Sequence, residues 1–276
     1  MSKTRSATVV KTQEKGRFSA IFASIVIPVA FVIALLVFLF VMGAPSNFEN
    51  NDPAGHPKPG NFLGIIYKGG PIVPLLITAF LTTLIFSIER FITLTSAKGK
   101  GSIADFVRRI KAYLNENNID AAIAECDKQK GSVANVVKAG LLEYREMVAN
   151  NDLAKDQKLL SIQKSIEEAT ALEMPTLERN LPIISTIASV GTLIALLGTV
   201  IGMIKAFNAL AVAGTPDPVA LSTGISEALI NTALGIGTSA ISIIAYNYFT
   251  SRIDGMSYNI EEAGYSMTQT FASQYR

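Results

Sequence analysis

One cysteine and one histidine in 276 residues exclude several kinds of protein. Cys126 alone closes no disulfide within the chain, and with His56 as the single imidazole there is no His/Cys cluster to ligate a metal. No G-x-S-x-G element and no Walker A sequence occurs, so catalysis has no evident anchor; neither an enzyme nor a cofactor is expected. Charged residues are scarce, 17% of the chain, and their formal sum of +2 says less than their distribution. Apolar residues are abundant instead: 49% of the chain is hydrophobic and the mean hydropathy is +0.37. Those values describe a membrane protein with room for one substantial soluble segment. Within that segment Cys126, in IDAAIAECDKQ, reads as a buried small apolar residue.

The chain is organised around residues 181–250. LPIISTIASVGTLIALLGTVIGMIKAFNALAV and PVALSTGISEALINTALGIGTSAISIIAYNYF each exceed the roughly 20 apolar residues that cross a bilayer core. Between them Gly214, Pro216 and Pro218 force a tight reversal, so the pair reads as a membrane hairpin. Gly191, Ala195, Gly198 and Gly202 on one arm, and Gly235 and Gly237 on the other, are small enough to let helix backbones approach in lipid. On the second arm Thr223, Glu227, Asn231, Thr238 and Ser242 step by three, four or seven positions and form one polar stripe, widened by Thr232 and Ser239. A carboxyl inside a span is costly and is expected to face protein or a water-filled path.

LLGTVIGMI with Thr199, followed by ISEALINTALGIG with Glu227 and Thr232, resembles the signature of the MotA/TolQ/ExbB proton-channel family, closest to its ExbB branch with TolQ next. The resemblance is densest over 181–250, with support from 64–91. It implies that Thr199 and Thr232 line a pore opposite an essential aspartate on a single-span ExbD/TolR-like partner, and that this aspartate carries the proton. A threonine does not titrate in this range, but it can hydrogen-bond a carboxyl in either protonation state or hold a water beside it. The bland alternative for any membrane threonine is a bond to its own helix's carbonyl. Glu227 has three readings: a proton relay, a buried hydrogen bond holding helices together, or an acid near the outer end in water. Lys205 could pair with Glu227 across the antiparallel arms, but snorkelling to the interface is the simpler fate. Asn231, Thr238, Ser239 and Ser242 are secondary pore-stripe candidates. The sequence departs from the family pattern at Thr192, Ala195, Thr238, Ser239 and Ile241; the extra hydroxyls suit a hydrated proton path or a Na⁺ ion, with H⁺ favoured by the resemblance.

The rest of the chain falls into place around the hairpin. Residues 1–18 are basic, with Lys3, Arg5, Lys11, Lys15 and Arg17 against Glu14, and precede an extra apolar span over 19–43. Residues 44–61 are rich in Pro, Gly and Asn and read as a periplasmic loop, with His56 a solvated loop side chain. Residues 62–94 contain a short interfacial segment and the first core span, which ends at Glu89 and Arg90; these neighbours need not pair and mark the membrane boundary. Residues 95–180 form a helical soluble domain. Its opening Lys98, Lys100, Arg108, Arg109 and Lys111 place it in the cytoplasm. In it Ile103, Phe106, Val107, Ile110, Tyr113 and Leu114 share a helix face, and Asp120 and Ser132 are candidate caps. Residues 251–276 are a cytoplasmic tail in which Ile253, Met256, Ile260 and Phe271 could extend the last helix.

The expected fold is all-α and polytopic, with four transmembrane helices, both termini cytoplasmic, in a bacterial inner membrane. The resemblance implies an ExbB-like subunit that converts proton-motive force into movement of an ExbD-like partner, energising outer-membrane transport through a TonB-like protein. It also implies a homo-pentamer around two partner helices. A TolQ-like motor for envelope maintenance is the alternative. A secondary transporter of a small solute is a different class, but it predicts internal repeats and a discontinuous midplane helix that the sequence does not display. No nucleic-acid partner is expected.

Overall fold

The computed structural model describes residues 24–211 and 218–274. The basic N-terminal segment, the start of the first apolar run and most of the 213–218 turn lie outside the described residues. The chain is all-α: among the described residues there is no strand, only an isolated antiparallel bridge between Phe48 and Pro57. Four helices are long and apolar enough to cross a membrane. The contacts divide the chain into two units, one containing residues up to Ser87 and Pro182–Tyr246, the other Ile88–Leu181 and Asn247–Arg276.

In the first unit, α1 (Ser24–Met42) exposes most of its apolar surface, as a lipid-facing helix does. A narrow stripe of Ala30, Ala34, Phe38 and Met42, at intervals of four, is buried. Its last turns, Val37–Met42, are π-helical. Asn47 closes this end by donating to the carbonyls of Val41 and Met42 at 2.7 and 2.9 Å. Asn61 donates to Asn47 Oδ1 at 3.0 Å and caps α2 (Phe62–Tyr67) by accepting from Gly64 N–H. The connection over 44–61 is therefore an ordered set of turns. Phe48 is buried beneath Tyr67, whose ring also stacks on Phe38 at 4.7 Å, and His56 is exposed. Helix α3 (Val73–Lys98) begins beyond a short turn at Gly70–Ile72. Val73 joins Phe38 and Met42 in a small core against Ile66, Tyr67, Ile77 and Leu234. Two further helices complete the unit: α8 (Leu181–Ala211) and the first part of α9 (Pro218–Gln274).

The second unit is a helical domain of α4 (Ile103–Asn115), α5 (Ile119–Gln129), α6 (Gly131–Ala149) and α7 (Lys155–Glu178), with the ends of α3 and α9. Ser102 caps α4 through Asp105 N–H, and Phe106, Val107, Ile110 and Leu114 fill the core. Ile103 and Tyr113 reach it only in part. The caps expected at Asp120 and Ser132 sit elsewhere. Asn118 caps α5, leaving Asp120 in the first turn to pair with Arg145, and α6 starts at Gly131 after Lys130 turns at φ +58°. Residues 251–274, read from sequence as a tail, are continuous helix: Ile253, Met256, Ile260, Ala263, Met267 and Phe271 are buried at helical spacing. Phe271 meets Tyr144 edge-on at 5.0 Å, Lys111 pairs with Glu262 at 2.6 Å, and Gln274 donates to Leu114 O.

Candidate functional site

Helices α8 and α9 of the first unit are joined along their glycines. A Cβ built at Gly198 would stand 2.6 Å from Asn231 Cβ, one at Gly202 2.8 Å from Gly224 O and Ala228 N, and one at Gly224 2.7 Å from Ala206 N. Ala195 likewise occupies the space where Gly235 would need a Cβ. As positions rise along α8 they fall along α9, so the helices are antiparallel, with backbones too close to admit any larger side chain.

Two hydroxyl pairs bridge this seam. Thr192 Oγ1 donates to Ser239 Oγ at 2.9 Å, and Thr199 Oγ1 lies 2.5 Å from Thr232 Oγ1. Each of the second pair also touches its own helix, Thr199 at Ala195 O (3.1 Å) and Thr232 at Ala228 O (3.0 Å). Two hydroxyl protons cannot fill three such contacts, because a carbonyl donates nothing. If the threonines bond to each other, one carbonyl goes without. The pair has two near-equivalent proton arrangements, and both side chains are only half-buried.

The rest of the stripe points into the protein. Glu227, Asn231, Thr238, Ser239 and Ser242 are all buried, whereas Thr223 is exposed and bonds to Val219 O. Glu227, 5% exposed, accepts from Lys205 Nζ at 2.6 and 2.9 Å. The simpler expectation, that Lys205 snorkels alone to the interface, is overturned: the antiparallel register puts it opposite a carboxylate that needs a cation. The same carboxylate lies against Gly70, at φ +77°, where any Cβ would collide with Oε1. One residue earlier, Gly69 O accepts from Asn231 Nδ2 at 2.8 Å, while Asn231 Oδ1 is buried without a partner. Further along, Ser242 meets Thr83 at 2.8 Å and Thr238 O at 2.9 Å, and Thr238 bonds to Leu234 O.

Sequence reasoning missed the share of this seam contributed by α3. Thr78, Thr82 and Thr83 are buried there, and the Oγ atoms of Thr82 and Ser87 have no partner. Their signal was present as four hydroxyls within ten residues of an otherwise apolar span.

The boundary residues Glu89 and Arg90 belong to the second unit, and there they do pair, although adjacent helix positions do not require it. Arg90, 2% exposed, turns its fork back onto Glu89, Nε to Oε2 at 2.6 Å and Nη2 to Oε1 at 2.5 Å. Its remaining Nη1 donates to Thr176 O and Leu177 O, both at 3.1 Å, at the C-terminal end of α7, where a cation is favoured. Asn180 and Thr93 complete the shell by donating to Glu89. The neighbour rule assumes side chains that stand radially from a helix; a long guanidinium chain escapes it. Elsewhere in this unit burial pushes the Glu125 carboxyl up, but Arg109 at 2.6 Å and Lys128 at 3.3 Å outweigh it and hold it below the ordinary value. Burial pushes the Cys126 thiol up to about 12.

Chemically, Glu227 and Lys205 are the only charged residues of α8 and of α9 up to Tyr246, and they neutralise each other. The threonine pair can give or accept a hydrogen bond but cannot carry a proton away as an acid.

The family model described as the MotA/TolQ/ExbB proton channel family matches residues 128–262. The chain is 27% identical over 200 residues to the Tol-Pal system protein TolQ of Haemophilus influenzae, covering 71% of this chain and 87% of that protein. It is 25% identical over 177 residues to TolQ of Pseudomonas aeruginosa, covering 64% and 76%. It is also 25% identical over 202 residues to the biopolymer transport protein ExbB of Pseudomonas putida, covering 72% and 60%. This is a membrane protein similar over residues 128–262 to the MotA/TolQ/ExbB proton channel family, and the relatives it resembles are named both TolQ and ExbB.

Proposed function

We propose that this chain is an ExbB-like subunit of an inner-membrane motor that converts inward proton flow into movement of a single-span, aspartate-bearing partner. The observation that carries this reading is the Thr199–Thr232 pair, half-buried on the edge of two glycine-packed helices in a chain related to proton channels. A partner aspartate arriving at that edge would accept a hydrogen bond when charged and donate one when neutral, and the pair's two proton arrangements suit both states. Glu227 and Lys205 hold the outer part of the seam, with Glu227 as relay or as fixed anchor. Five copies around two partner helices would enclose the path. One charge crossing 100 mV supplies about 2.3 kcal/mol, enough to bias a conformational step. Four spans put both termini in the cytoplasm. Work delivered to a TonB-like protein would energise outer-membrane transport. The TolQ-like role in envelope maintenance shares every residue of the seam, and the relatives carry both names. Protons are the proposed ion and Na⁺ the alternative.

Flux in proteoliposomes tests this. The chain is reconstituted alone, with its co-purifying single-span partner, and with that partner while carrying Thr199→Ala, Thr232→Ala or Glu227→Ala. Partner-dependent H⁺ uptake that falls by more than about tenfold in the threonine variants, on the scale of a lost hydrogen bond to a charged group, is the expected outcome. Undiminished flux in both threonine variants would remove the pair from the path. Uptake that follows Na⁺ instead would change the ion.

A further inference from the structure

We propose that the second unit carries a binding site for an anionic phospholipid, at the point where α3 and α9 leave their apolar stretches. A pocket of about 200 Å³ lies between the two helices, lined by Phe91, Leu94, Lys98, Tyr248, Arg252 and Met256 among others. Its floor is apolar, since Leu94, Met256 and the neighbouring Phe249 are buried. Its rim is aromatic, with Phe91 56% and Tyr248 43% exposed. Two cations close the far end. Lys98 is the last residue of α3 and two turns beyond Phe91; Arg252 is one turn beyond Tyr248. Both helices run here from apolar sequence toward the soluble domain, so the pocket grades from aromatic to cationic along one direction. A phospholipid has the same grading, from acyl chain to phosphate.

The cations are free to bind. Among the described residues neither Lys98 nor Arg252 has an acidic partner. Arg252 is positioned rather than neutralised: its Nη2 donates to Tyr248 Oη at 3.0 Å and the guanidinium sits 5.3 Å from the centre of the Tyr248 ring. That leaves the rest of the planar fork for a phosphate, the acceptor it fits best. The apolar floor, together with the exposed Ile88 and Ile92 flanking Phe91 on α3, argues for a lipid over a free anion, which would gain nothing from them. The site is independent of the ion-path reading, and its loss would leave that reading untouched.

Native mass spectrometry of the detergent-purified full chain, equilibrated with phosphatidylglycerol and phosphatidylcholine, tests the proposal. Phosphatidylglycerol is expected to be retained preferentially, and Lys98→Gln and Arg252→Gln to weaken that retention by about fivefold each. Both side chains are exposed, so the variants should fold. Arg108→Gln, which removes an exposed cation already paired with Asp105, should change nothing. Equal retention of the two lipids would overturn the proposal, as would a preference that survives in the double variant. Displacement of the lipid by millimolar inorganic phosphate would make this a free-anion site. A double variant that alters only the oligomeric state would assign the pocket to a second copy of the chain.

Discussion

Replacing Gly70 by alanine tests the geometry of the seam at its most constrained point. Gly70 stands at φ +77°, and its missing side chain leaves the space taken by the Glu227 carboxylate. Alanine therefore suffers twice. The left-handed backbone costs about 1–2 kcal/mol in any L-residue. Forcing a methyl into a filled site costs about 1–3 kcal/mol more, as Glu227 is pushed from Lys205. The two contributions separate in a double-mutant cycle with Glu227→Ala. Without the carboxylate the collision disappears and only the backbone cost remains. Lys205 is about half exposed, so it can turn to water and the Glu227→Ala background should not be crippled. The assay is equilibrium unfolding in mixed micelles of the parent, both single variants and the double. The expected coupling is about 1–3 kcal/mol, with Gly70→Ala less harmful when Glu227 is gone. Additivity within about 0.5 kcal/mol would show that no carboxylate lies against Gly70, and the account of the Glu227 site would fail.

Three further outcomes follow from the second unit. Arg90→Lys retains the charge but loses the fork that serves Glu89 and two α7 carbonyls, so it should lower stability by about 1–3 kcal/mol in thermal unfolding; a lysine variant as stable as the parent would show that the charge alone matters. Because its folded pKa lies below the ordinary 4.5, Glu125 contributes stability that is fully present above that pH and is lost as pH falls through the lower, folded value. Glu125→Gln should therefore be less stable than the parent at neutral pH and converge with it in acid, as read by denaturant midpoints against pH. Cys126, buried and with its thiol pushed up to about 12, should resist maleimide at pH 8 until the domain is unfolded. Rapid labelling of the folded protein would place it at the surface.

How far the sequence reaches can be judged residue by residue. Gly191, Ala195, Gly198 and Gly202 recur at helical spacing within an apolar run, so close packing of one helix face was legible without a partner in view. The same periodicity put Glu227, Asn231, Thr238 and Ser242 on one face, but periodicity is blind to what that face meets. The groups that meet it, Gly69, Gly70 and Thr83, are about 160 residues away in the chain, and no local pattern encodes that approach. Caps failed for a smaller reason. Asn118 and Asp120 are both competent N-cap residues two positions apart, and the choice rests on packing of the whole helix. The pairing of Glu89 with Arg90 was left open because the rule for neighbours concerns where side chains start, whereas pairing depends on where a long chain ends.

The seam also divides the polar stripe into two sets with different physical possibilities. Glu227, Asn231 and Ser242 are buried, and each bonds to a distant segment of this one chain, at Lys205, Gly69 and Thr83 respectively. Exposing any of them to another chain would mean breaking that bond in a low-dielectric setting, where an orphaned polar group costs about 1–3 kcal/mol and a charge more. Thr199 and Thr232 differ. Their two protons are shared among three contacts, to each other and to their own helices' carbonyls, and one side of each is open. A new hydrogen bond there rearranges protons among existing contacts and orphans nothing further. Among the hydroxyls that join α9 to α8 or α3, this pair can engage an approaching carboxyl at little cost to the fold that positions it.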